Sequence, residues 1–80
     1  MIKVKIKLVT VEEVKSFFSI INQIESDAII RSEDKKYAVD AKSLLGIFSL
    51  DLTKNLILEI NDDEKWVIDK IKELNVVVEE

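Results

Sequence analysis

Ile2, Val4, Ile6 and Leu8 alternate with Lys3, Lys5 and Lys7, the period-two pattern of a strand with one dry face and one wet face. The run leads directly into Thr10-Val11-Glu12-Glu13. Here the Thr10 hydroxyl can accept from the Glu13 amide while the Glu13 carboxylate reaches back to the Thr10 amide, which makes a capping box. Val9 before the cap and Val14 at the fourth helical position have the spacing of a hydrophobic staple. A strand is therefore expected to turn into a helix with almost no loop. The helix carries Val14, Phe17, Phe18, Ile21 and Ile24, a broad apolar face that must lie on a sheet, and its spacing runs to about Glu25.

Beyond this unit, Asp27 to Ser32 and Lys36 to Asp40 contain Ile29, Ile30, Tyr37 and Val39 and flank Glu33-Asp34-Lys35, which predicts a hairpin. Its turn has no glycine, so the turn type stays open. Ala41 to Leu50 is too short and too continuously apolar for periodicity to separate a helix from a buried strand. Ser43 or Asp40 as an N-cap favours a short helix. Asn55 to Ile60 predicts a strand with Leu56, Leu58 and Ile60 on one face. Asn61-Asp62-Asp63-Glu64 then opens a last helix with acidic residues at its positive end, and Val67, Ile68, Ile71 and Leu74 form its buried stripe. Val76-Val77-Val78 is strand-like but terminal, and is expected to do no more than pack against that helix. The order βαββαβα suits an α+β domain over residues 1–80, a four-stranded antiparallel sheet with three helices on one face. Lys3, Lys5 and Lys7 then lie on the open face, where Glu59 can pair with them.

Composition narrows function mainly by exclusion. With 12 Lys and Arg against 16 Asp and Glu, the chain lacks the clustered cations with which proteins neutralise phosphate backbones, so no nucleic acid is expected. There is no Cys and no His, which removes disulfides, thiol nucleophiles and the usual zinc ligands; no metal or cofactor is expected. No apolar run approaches a membrane span and the N-terminal alternation is unlike a signal peptide, so the expectation is a cytoplasmic protein that does not enter a membrane. No nucleophile and base pair and no Gly-rich phosphate loop point to an enzyme.

The stretch Val39-Asp40-Ala41-Lys42-Ser43-Leu44-Leu45-Gly46-Ile47-Phe48-Ser49-Leu50 resembles the segment of the HPr phosphocarrier family that runs from the third strand into the short second helix. That segment has a Lys-Ser pair, two apolar residues, a Gly and a Ser-Leu close. Thr10 to Asp27 fits the family's first helix, and the element order agrees along the chain. The resemblance implies the HPr-like open-faced β-sandwich. It also marks a departure: the family carries its phosphohistidine just before the first helix in a Gly-Ile-His-Ala-Arg-Pro setting. This chain has Val9-Thr10-Val11-Glu12-Glu13 there, after a shorter loop. A phosphoryl anion at a helix N-terminus is held by free backbone amides, the dipole and a nearby cation. Thr10 occupies the amides, Glu12 replaces the cation with a like charge, and a threonine ester has too poor a leaving group for easy phosphoryl exchange.

Ser43 matches a serine that a regulatory kinase phosphorylates in some members of the family; as a residue, a Ser at an N-cap needs no further reason. Leu44, Leu45 and Phe48 match an apolar patch that contacts partner proteins in the family, while their plainer role is to cover the edge of a small core. Gly46, the only glycine, costs about 0.5–1 kcal/mol mid-helix relative to Ala, which close packing against the first helix would explain. Trp66 lies off the buried stripe and is expected half-exposed at an edge. The functional expectation is a non-catalytic regulatory or adaptor domain that binds a protein partner and is a monomer or weak homodimer. The alternatives are a structural or homo-oligomerising domain, or a phosphotransferase-system component by ancestry.

Overall fold

The structure is a computed structural model and describes residues 1–61 and 65–79. Strands β1 (Ile2–Ile6), β2 (Ala28–Ser32), β3 (Ala38–Asp40), β4 (Leu56–Ile60) and β5 (Val77–Glu79) alternate with helices α1 (Val11–Ile21), α2 (Leu44–Phe48) and α3 (Lys65–Glu73). The strands form one sheet in the order β3-β2-β4-β1-β5, and each neighbouring pair is antiparallel. Val4 and Ile6, Ala28 and Ile30, and Leu56, Leu58 and Ile60 supply its buried face. Val14, Phe17 and Ile21 of α1, Ile47 of α2, and Val67, Ile68 and Ile71 of α3 close over it in a single core.

The sheet has five strands, where four were expected. The chain leaves α3 and reverses at Asn75, whose positive φ of 59° is a left-handed conformation that Asn tolerates better than most residues. Val76 is buried, and its carbonyl accepts from the Lys7 amide at 2.8 Å. Ile6 then pairs with Val77, and Lys5 with Glu79, across a register shift. The β-branched valines therefore add an edge strand beside β1. Periodicity over so few residues at the end of the chain could not separate pairing from packing against the helix.

Helix α1 stops at Ile21, short of Glu25. Asn22 is the C-cap and its side chain donates to the Phe18 carbonyl, while the Ile24 amide turns to the Ile21 carbonyl. Such tightened bonds consume the carbonyls of the last turn. Ile24 still reaches the core, which is why its spacing looked helical. The expected acidic opening of α3 at Asp62, Asp63 and Glu64 lies outside the described residues. In the β2–β3 connection Lys35 takes the positive φ of 64° that a glycine would otherwise supply. Asp34 secures the turn by accepting from the Ser32 hydroxyl at 2.6 Å and the Lys36 amide at 3.0 Å.

The open face carries the lysine row. Lys3 lies opposite Glu59 in register and 3.9 Å from its carboxylate. Arg31 donates to the same carboxylate at 2.9 Å, so Glu59 links β2, β4 and β1. Lys5 faces Glu33 at 3.2 Å and Glu79 at 3.8 Å.

A five-stranded sheet makes a specific demand on the Lys7 amide: it must be protected from hydrogen exchange as strongly as its neighbours in β1. Removing residues 76–80 should release it, and Val76→Ala should cost about 2 kcal/mol in urea denaturation. An exchange rate at Lys7 unchanged by the truncation would mean that β5 is not paired.

Candidate functional site

Two places in this fold have the character of a site: the start of α1 and the outer surface of α2. At the first, Thr10 has extended backbone angles and its hydroxyl accepts from the Glu13 amide at 3.0 Å. Glu13 Oε1 accepts from the Thr10 amide at 3.1 Å and from the Val9 amide at 2.8 Å. The capping box is complete, and the carboxylate also gathers the amide preceding the cap. Val9, by contrast, remains 72% exposed, so Val14 covers little of it and the staple is not a buried contact. What this helix start presents to solvent is a carboxylate already seated on the nearest free amides, with Glu12 exposed beside it. A second anion would meet like charge and fewer free donors.

Helix α2 is a single short turn held at both ends by serines. Ser43 is its N-cap, with the hydroxyl accepting from the Gly46 amide at 3.1 Å, so the choice between Ser43 and Asp40 falls to Ser43. Asp40 instead accepts from the Lys42 amide at 2.8 Å. Ser49 closes the helix by donating to the Gly46 carbonyl at 2.6 Å. The Lys42 ammonium donates to the Ile24 carbonyl at 2.8 Å, tying the residues before α2 to the exit of α1.

The three apolar candidates on α2 divide. Ile47 points into the core and Leu44 packs against it. Leu45 is 84% exposed and Phe48 45% exposed. A short helix can bury only one side, and here that side is the one carrying Ile47. Gly46 does not face α1, as its mid-helix position suggested. A Cβ built on it would lie 3.2 Å from the Val39 Cβ on β3 and 3.2 Å from the Ser43 Cβ, so its missing side chain is what lets α2 settle on β3.

Other parts of the surface were not legible in the sequence. Val11 joins Val9 as an exposed apolar residue. Val9 shares a shallow hollow with Leu50 and Leu52, the residues that follow Phe48 as the chain leaves α2. A groove of about 810 Å³ opens between the β2–β3 turn and the segment joining α2 to β4, lined by Val39, Leu50 and Leu56 and by Asp34, Lys36, Asp51 and Lys54. The Ser32 hydroxyl, with the Lys36 amide, holds the Asp34 carboxyl below its ordinary value. Asp51 is lowered by the Thr53 hydroxyl and then by the Thr53 amide. Both therefore stay ionised at neutral pH. The groove has no sequence signature, because residues from distant segments meet there only after folding. Trp66, 41% exposed, sits on α3 as its spacing suggested.

The sequence matches no protein-family model, and no curated protein matches it. Solved structures do. HPr-C-His from Thermoanaerobacter tengcongensis superposes with a TM-score of 0.75 at 22% identity, over 92% of this chain and 90% of that one. The phosphocarrier protein HPr from Bacillus anthracis str. Ames gives 0.61 at 19% identity, over 91% and 88%. The chain is an α+β domain of HPr-like fold. Among the described residues no helix is long and apolar enough to cross a membrane.

Two substitutions test the local chemistry. Thr10→Ala should cost about 1 kcal/mol in urea denaturation and Thr10→Ser should retain most of it; equal stability of both variants and the parent would remove the capping account. Gly46→Ala should be nearly neutral in the parent, where helix propensity and crowding oppose each other. In a Val39→Gly background, which removes the Cβ that the added methyl would meet, the same substitution should become more stabilising, by up to about 0.5–1 kcal/mol. The same effect in both backgrounds would mean that Val39 does not set the glycine.

Proposed function

We propose that this chain is a divergent member of the HPr family that has left phosphohistidine transfer and acts in the cytoplasm as a non-catalytic regulatory or adaptor domain, binding a protein partner through the outer side of α2. The single observation that carries the reading is the exposure of Leu45 and Phe48 on a helix whose Ile47 is buried in the core and whose Leu44 packs against it. Large apolar side chains left in water on a rigid, capped turn lose little entropy when they are covered, which makes them effective anchors at an interface. Val9 and Val11 are further exposed apolar residues, at the start of α1. Leu44 belongs to the platform beneath the anchors. The HPr-like fold supports the ancestry, while the absence of histidine from the sequence and the closed start of α1 favour contact over chemistry. Ser43 is the proposed regulatory position: its hydroxyl is the α2 cap, so phosphorylation there would change the group that holds the docking helix.

A homodimer through the same surface is the competing reading, because exposed Leu45 and Phe48 suit a second copy as well as a different protein. Light scattering at micromolar concentration separates the two, since a monomer removes the homodimer. The adaptor reading predicts that a tagged Leu45→Ser, Phe48→Ser double variant loses a protein that the parent captures from its native lysate, with far-ultraviolet circular dichroism unchanged. Capture of the same protein by the double variant would overturn it.

A further inference from the structure

We draw no further inference here: the strongest candidate, the groove between the β2–β3 turn and the segment joining α2 to β4, mixes Asp34 and Asp51 with Lys36 and Lys54 around an apolar lining, so its charge selects no ligand class and nothing in the structure shows what covers it.

Discussion

Glu13 accepts two backbone amides through a single carboxylate oxygen, while its own amide donates to the Thr10 hydroxyl. This small knot sits where the chain changes from sheet to helix. The first amides of a helix have no partner within it and must be satisfied by side chains, water or a ligand. The box meets that need at the Glu13 amide and fixes the turn from β1 into α1, whose Val14, Phe17 and Ile21 share the core with Val4 and Ile6. The same bonds take up the Val9, Thr10 and Glu13 amides, three donors that an anion at this helix start could otherwise use. One local interaction thus serves the packing and seats a carboxylate at the start of α1.

The rest of the molecule distributes apolar surface around that junction. β1 lies between β4 and β5, and its wet face is partnered by carboxylates from three other segments, Glu33, Glu59 and Glu79. Exposed pairs of this kind contribute little each, typically under 1 kcal/mol. Glu59 differs because only 15% of its side chain is exposed and it holds Arg31 at 2.9 Å, so its loss would leave that cation unpaired in partly dry surroundings. On the helical side, α2 closes the core with Ile47 and leaves Leu45 outside. The proposed docking surface is a consequence of the smallness of that helix: one turn has too few positions to bury every leucine it carries.

Where the chemistry was local, the sequence was legible. The capping box needs only residues three apart, the lysine alternation needs only a strand, and the pairing of Lys3 with Glu59 followed once β1 and β4 were neighbours. The HPr-like topology was legible because Lys42 to Leu50 carries a spaced pattern rather than a composition. Features that depend on distant segments were not legible. The fifth strand depends on a left-handed Asn75 and on a carbonyl offered to Lys7; Gly46 answers to Val39 on a strand; the groove joins a hairpin turn to a later loop. Of the docking candidates, the residue types could suggest Leu44, Leu45 and Phe48 together. Only the packing of α2 through Ile47 separates the half-buried Leu44 from the other two.

An adaptor role in place of phosphoryl transfer requires the loss of that chemistry from an HPr-like scaffold. Incubating the intact protein with phosphoenolpyruvate and the upstream phosphotransferase, then weighing it by native mass spectrometry, addresses that loss directly. The mass should not change. A gain of one acid-labile phosphoryl group that the protein then passes to an acceptor would contradict the account.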